Sequence, residues 1–390
     1  MKRILFVTND YLPMIGGVSN HIDFLARALA SKGCEVLILH FCYSNFSLPS
    51  EKKDGVKVER IVLSTDLIGK QSLYAKISRY IRTIFIGRKQ LKKTIKIFRP
   101  DVIHWHDFYH SSLATKYLAT ECLLICTNHA SQFLEQYAKG AFFHKYLSWL
   151  VNHADGIIGP SEELAVKSRI SLKPCRFIPN GVDEKKFCPT RKYRAEIETV
   201  FKLSANDFLI LAPRRLDPKN GLEILIRGMP AVISAIPNAH LIIAGGGEKI
   251  LREKYQSLIV SLGISTHVTI TGEIDHKKIR KIISSADLVV IPSFFEAVSL
   301  AALEALAAGI PVVASNVGGL PFVVNEKNGI LVPSGDAEKL SEAIVDILRS
   351  PKILKTKSLA ARRSILERFT WGHVAEETLE FYDYVKQQKA

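Results

Sequence analysis

The sequence predicts an α/β protein built from two doubly wound parallel sheets, on three observations. Short, β-branched apolar runs recur without polar alternation, as strands covered on both faces require. Helical apolar patterns separate these runs, which makes βαβ units. The series then occurs a second time after a turn-rich, charged stretch.

In the first series strands are expected at Ile4–Thr8, Glu35–His40, Val102–His104, Leu123–Cys126, Gly156–Ile158 and Arg176–Ile178. In the second they are expected at Leu209–Ala212, His240–Ala244, Val268–Thr271, Leu288–Ile291, Pro311–Ala314 and Gly329–Val332. Pro179-Asn180-Gly181-Val182-Asp183, followed by charged residues to about Arg194, reads as the linker. The expected division is an N-terminal Rossmann-like domain over 1–188, a C-terminal one over 189–367 and a last helix over 368–390. Trp371, Val374, Leu379, Phe381, Tyr382 and Val385 make that helix amphipathic and able to cap either domain, including by packing back on the N-terminal one.

The chain has 47% hydrophobic and 23% charged residues, enough for two cores and unlike a disordered chain. The opening MKRILFVTND has too short an apolar run for a secretion signal and reads as a buried strand. The longest apolar stretch, Ala297 to Ala314, is interrupted by Glu304, Gly309 and Pro311. It therefore reads as helix, stop and buried strand, since a central Glu costs roughly 2 kcal/mol or more in a bilayer. The six cysteines show neither CxxC nor zinc spacing, which points to free thiols in a reducing cytoplasm.

Ligands of open α/β sheets sit beyond the carboxyl ends of the strands, and two facing sheets would set two such edges across one interdomain cleft. After the first strand, Gly16-Gly17 opens a helix with Val18, Ile22, Leu25, Ala26 and Leu29 on one face; glycines there let backbone N–H groups approach a phosphate or sugar. A plain tight turn explains them equally well. Arg214-Arg215-Leu216-Asp217-Pro218-Lys219 supplies two guanidiniums and an ammonium on a turn, a set suited to a diphosphate, or else a solvated basic loop. Gly245-Gly246-Gly247 offers another close backbone approach without completing a GxGxxG fingerprint. Glu304 interrupts an apolar helix, where a carboxylate must find hydrogen-bond donors, and Glu296 precedes that helix. Two carboxylates would repel a diphosphate but accept from the hydroxyls of a ribose and a hexose. His104, Trp105, His106 and Asp107 lie at a strand end, where alternate side chains point to opposite faces; a cleft wall fits them better than a metal.

The segment PSFFEAVSLAALEALAAGIPVVAS resembles the E-x7-E region of glycosyltransferase family four. PMIGGVSNHI, PNGVD and RRLDPKNG resemble that family's other landmarks, in the same order and over essentially the whole chain. The resemblance implies the GT-B fold and a retaining transferase that needs neither metal nor cofactor, with a UDP- or GDP-sugar donor held mainly by the second domain. It implies that Glu304 binds the ribose hydroxyls, Glu296 the transferring sugar, and Lys219 with Arg214 or Arg215 the diphosphate. His129 matches a histidine the family sets near the C6 hydroxyl of the sugar, although the residues alone fit a satisfied loop histidine equally well, and the backbone of Val298, Ser299 and Leu300 matches the stretch that faces that sugar. Val298-Ser299 replaces the family's usual Phe-Gly, which leaves the sugar open. No residue is an evident covalent nucleophile; the resemblance points to a leaving diphosphate that takes the acceptor proton itself.

Basic residues number 27 against 16 acidic through Lys186, and 26 against 22 beyond it. Lys70 to Arg99 holds ten basic residues and no acidic one, with Tyr74, Ile77, Ile81, Ile84, Leu91, Ile95 and Phe98 at helical spacing. Two readings stand: a core-facing helix pair with a solvated basic face, or docking on anionic lipid. The second suits a glycan carried on lipid and a cytoplasmic protein peripheral on the inner face of the membrane. No nucleic-acid motif accompanies the charge. A nucleotide-sugar isomerase or epimerase on a similar fold, and a non-catalytic basic binding protein, are the alternatives to a hexosyltransferase.

Overall fold

A computed structural model describes residues 1–13, 16–42, 51–63, 73–106, 109–118, 121–129, 140–168, 173–296 and 298–389. The chain divides into two units, Met1–Asn180 with Trp371–Ala390 and Gly181–Thr370.

Unit 1 is an eight-stranded sheet. Its strands are β1 Arg3–Thr8, β2 Glu35–Cys42, β3 Glu51–Lys53, β4 Val56–Val62, β5 Val102–Trp105, β6 Leu123–Thr127, β7 Gly156–Gly159 and β8 Cys175–Phe177. The order is β3-β4-β2-β1-β5-β6-β7-β8, and only the β3–β4 pair is antiparallel. Successive side chains leave a strand on opposite faces. Ile4, Phe6, Val36 and Ile38 accordingly pack with the helix Gly17–Ser31 and with Trp371, Val374, Phe381 and Tyr382 of the last helix. Leu5, Val7, Leu37 and Leu39 enter a second core on the other face, with Leu91 and Leu147. The sequence reading omitted β3 and β4. Val56-Lys-Val-Glu-Arg-Ile-Val alternates and carries charge, as a strand near an edge does, so it lacks the continuous apolar run of a central strand.

Unit 2 is a six-stranded sheet of β9 Phe208–Ala212, β10 Ala239–Ala244, β11 Val268–Gly272, β12 Leu288–Ile291, β13 Val312–Ser315 and β14 Gly329–Val332. All its pairs are parallel, in the order β11-β10-β9-β12-β13-β14. Counted from β9 this is the 3-2-1-4-5-6 order of dinucleotide-binding sheets, and its direction reverses between β9 and β12.

The units part at Asn180/Gly181, ahead of the boundary expected at 188/189, because the residues that follow are tied into unit 2. The Val182 amide donates to the Phe369 carbonyl at 2.8 Å. The Arg362 guanidinium donates to the carbonyls of Glu184, Phe187 and Ala307 at 2.7–3.0 Å. Among the described residues no helix is long and apolar enough to cross a membrane. All six cysteines are free thiols.

The basic stretch also departs from a single amphipathic face. Its helices Leu73–Arg82 and Arg88–Phe98 are joined through the π-turn Thr83–Gly87. Leu91 is fully buried, with Ile84, Ile95 and Phe98 packed beside it. Tyr74, Ile77 and Ile81 stay exposed. Lys70 lies outside the described residues.

Candidate functional site

The chemistry-bearing residues of unit 2 gather where its strand order reverses. Loops leaving β9 and β12 are neighbours there, and glycines let them touch. A Cβ on Gly221, at φ +65°, would fall 1.8 Å from the Pro292 carbonyl oxygen. The Phe294 amide donates to the Lys219 carbonyl at 2.8 Å, which fastens the two loops together.

Arg214 is the hub. Its Nη2 donates to Asn220 Oδ1 at 2.8 Å and Ser293 Oγ at 2.9 Å, and it pairs with the Glu296 carboxylate. Nη1 reaches Ser299 Oγ at 3.5 Å. Arg214 and Glu296 are both largely buried, at 13% and 15% side-chain exposure, so the pair is only weakly screened. Glu296 is fixed through its backbone as well. The Gly319 amide donates to its carbonyl at 3.3 Å, and a Cβ on Gly318 would lie 1.7 Å from that oxygen.

Ser299 caps the helix Leu300–Ala307, its Oγ accepting from the Ala302 amide at 3.3 Å. The other first-turn amides of that helix have no intrahelical acceptor, and the N-terminus presents partial positive charge. Val298 and Ser299 are buried and Leu300 is partly so. Ala297 lies outside the described residues. Glu304, on the same helix, is only partly exposed; burial pushes its carboxyl up to about 7, against a smaller opposing pull from the Lys186 charge.

Arg215 and Lys219 take no part in the Arg214 network and stay at the surface of the same turn. Arg215 is exposed over a crevice of about 540 Å³ lined by Leu216, Gly246, Gly247 and Glu273. Lys219 is 64% exposed, with Nζ 3.7 Å from Asp217. The glycines after β10 are packed against protein. A Cβ on Gly245 would meet the Arg214 carbonyl oxygen at 2.1 Å, and the Leu216 amide donates to the Gly246 carbonyl at 2.8 Å. Their close backbone approach is thus to the Arg214–Leu216 turn, which it holds in place.

In unit 1, Gly16 and Gly17 are exposed at the start of the helix Gly17–Ser31, and a Cβ on Gly17 would touch nothing. Met14 and Ile15 lie outside the described residues. The strand-end set separates as its spacing dictates. Trp105 enters the second core, donating from Nε1 to Ser112 Oγ at 2.9 Å. His104 is fully buried, with Nδ1 2.6 Å from the Tyr382 hydroxyl and Nε2 2.6 Å from Thr127 Oγ1. These two are core residues rather than the cleft wall expected of them: the strand runs one residue further than expected, the last helix covers His104, and the helix His110–Thr115 supplies the partner of Trp105. Asp107 lies outside the described residues.

His106 instead meets two histidines that the sequence reading did not connect. Its Nδ1 is 3.4 Å from His129 Nε2, and the His21 ring packs on His129 at 4.5 Å between centroids. Each of the three offers a ring nitrogen within 4.8 Å of the others, a set able to hold a divalent transition ion. Burial lowers the pKa of all three, to about 4 for His21 and well below the usual range for His106 and His129. They are therefore neutral near pH 7. Asn180 Oδ1, 2.7 Å from His21 Nδ1, accepts that ring's proton and leaves Nε2 as an acceptor, buried without a partner.

Asn220, Ser293, Gly318 and His21 were missed as site residues. Asn220 follows Lys219 in the basic turn and Ser293 follows a buried strand, so position gave a signal for both. Gly318 and His21 carry none, since their partners are remote in sequence.

The family profile described as Glycosyltransferase Family 4 matches residues 15–186, and the one described as Glycosyl transferases group 1 matches residues 194–363. Glycogen synthase of Mycobacterium tuberculosis is 29% identical, over 97% of this chain and 94% of its own. The GDP-mannose-dependent alpha-(1-6)-phosphatidylinositol monomannoside mannosyltransferase of the same organism is 23% identical, over 98% of each. The sucrose-phosphate synthase structure from Thermosynechococcus elongatus superposes with a TM-score of 0.79 at 24% identity, over 100% of both chains. With both profiles in chain order and GT-B structures sharing its fold, the chain is a glycosyltransferase and belongs to glycosyltransferase family four.

Proposed function

We propose that the chain moves a hexose from a UDP- or GDP-sugar to a glycan or lipid-linked acceptor, with retention of configuration and without a metal on the diphosphate. The observation that carries this reading is the convergence on Arg214 of Asn220, Ser293, Glu296 and Ser299, beside a helix N-terminus at the reversal of strand order. Positive charge from Arg214, Arg215, Lys219 and the helix serves the diphosphate. Glu296 accepts from hydroxyls of the transferring sugar and Glu304 from those of the ribose.

Retention without a protein nucleophile places attack on the face the diphosphate leaves. The bond from the anomeric carbon to the diphosphate oxygen breaks as the bond to the acceptor oxygen forms. The acceptor proton passes to the departing phosphate oxygen, whose growing charge the cations stabilise. His129 would act beside the sugar as a hydrogen-bonding group.

Two relatives support the substrate classes: one is named for glycogen, the other for a GDP-mannose donor and a phosphatidylinositol acceptor. The basic stretch to Arg99 adds a surface suited to an anionic membrane. The test is incubation with a panel of UDP- and GDP-sugars, following nucleotide release. Slow formation of free UDP or GDP supports transfer. An epimerised donor would make the chain an isomerase, and binding without turnover a binding protein.

A further inference from the structure

Aromatic residues far from the basic stretch in sequence stand beside it. Helix Ala141–Val151 buries Leu147, Leu150 and Val151 completely, yet Phe142 is 78% exposed, Trp149 41% and Tyr146 37%. The steps of four and three residues place these aromatics on one stripe. Lys116 joins that stripe to Tyr117: its ammonium lies 4.4 Å from the Trp149 ring centre and 5.1 Å from that of Tyr117, itself 71% exposed.

Helix His110–Thr115 packs on both Ala141–Val151 and the turn Thr83–Gly87, and the His110 ring stacks on Tyr80 at 4.4 Å. Beyond it stand the exposed Tyr74, Ile77, Ile81 and Phe85. Residues 70–99, 109–118 and 140–153 include no Asp or Glu. Acid-free basic segments that carry exposed aromatic rings have the chemistry to meet a phospholipid headgroup layer, where rings sit at the acyl boundary and cations meet phosphates.

We propose that Phe142, Tyr146 and Trp149, with Tyr117 beside them, insert into the headgroup layer of an anionic bilayer. Tyr74, Ile77, Ile81 and Phe85 extend that contact towards the basic helices. This rests on the membrane-facing reading of the basic stretch and adds an apolar anchor from separate segments.

Trp149 reports on the anchor directly, because Trp105 and Trp371, the other two tryptophans, are buried. With mixed phosphatidylcholine–phosphatidylglycerol vesicles at low salt, the protein should co-sediment and its emission should shift to the blue. Brominated phospholipids should quench it, and Trp149→Phe should abolish the shift. The variant Phe142→Ser should keep its melting temperature, since that ring is 78% exposed, and lose vesicle partitioning roughly fivefold. Co-sedimentation with an unshifted, unquenched Trp149 would overturn the anchor and leave basic docking intact. Failure to co-sediment with anionic vesicles at low salt would overturn both.

Discussion

The Arg214 guanidinium is held by the Glu296 carboxylate, so the most buried cation of the candidate donor site is already engaged before any diphosphate arrives. On the proposed reading, an incoming donor shares Arg214 between phosphate and carboxylate, while the hydroxyls of its sugar take up Glu296. Glu296→Gln keeps the shape but removes the charge that orients the fork. Turnover should fall by about 100-fold or more, with the affinity for free UDP or GDP changed far less. Steady-state kinetics beside calorimetry measure both; equal losses in the two would place Glu296 on the nucleotide instead of the sugar.

For Glu304 the expectation is the reverse. Glu304→Ala should weaken nucleotide binding by roughly 1.5–3 kcal/mol while the helix survives, since Ala is a good helix former. Unchanged affinity for donor and nucleotide would remove Glu304 from the site.

The same residue predicts a pH dependence. Its folded carboxyl lies near 7, above the ordinary 4.5, so the fold favours the protonated form. Its contribution to stability is present below 4.5 and is lost as pH rises through about 7. Ribose hydroxyls favour the ionised form, so nucleotide affinity should improve as pH rises from 6 to 8 (approximate bounds set by the half-titration point). Calorimetry across that range should show proton release on binding in the wild type and none in Glu304→Gln.

Chelation tests the proposal that protein cations alone meet the diphosphate. EDTA should leave turnover nearly unchanged. Loss restored by magnesium or manganese would refute the proposal. Loss restored only by zinc would instead assign an ion to His21, His106 and His129.

Gly318 should be intolerant although it touches no substrate. Alanine there would occupy a left-handed backbone at φ +54° and collide with the Glu296 carbonyl. The backbone conformation by itself costs about 1–2 kcal/mol. Thermal unfolding of Gly318→Ala should register at least that loss, together with reduced turnover; a wild-type melting temperature would show that the loop relaxes freely.

Replacing Lys89, Lys92, Lys93 and Lys96 with Gln should release the protein from anionic vesicles, because all four are exposed. Arg88 is a poorer choice: its guanidinium donates to the Leu113 carbonyl at 2.7 Å, and its loss would disturb packing. Activity on a short soluble acceptor should persist. Unaltered vesicle binding would assign the attachment elsewhere.

Central strands and the residues at their carboxyl ends were legible because apolar runs and charge breaks are local signals. Leu288–Ile291 and Gly329–Val332 appear with the expected limits. The histidine cluster was not legible: His21, His106 and His129 come from three segments that only the order of β1, β5 and β6 brings together. Nor was the fate of the basic stripe. Periodicity gives a helix its apolar face but cannot divide Leu91, buried, from Tyr74, exposed. Of the arginine pair, sequence offered two equal cations, and the structure turned Arg214 inward and Arg215 out.

The helix Trp371–Lys389 has a consequence for how the protein is made. It supplies Phe381 and Tyr382 to the core of unit 1, and the Tyr382 hydroxyl satisfies buried His104. Yet the ribosome releases it only after all of Gly181–Thr370. Unit 2 is continuous in sequence and can close its core as it emerges. Unit 1, most of it made ahead of unit 2, must wait with an apolar face uncovered, and with His104 Nδ1 open to water, until that helix arrives. Of the two units, the one made earlier therefore completes its core later, and a nascent chain stalled before Trp371 would present that face to chaperones and proteases.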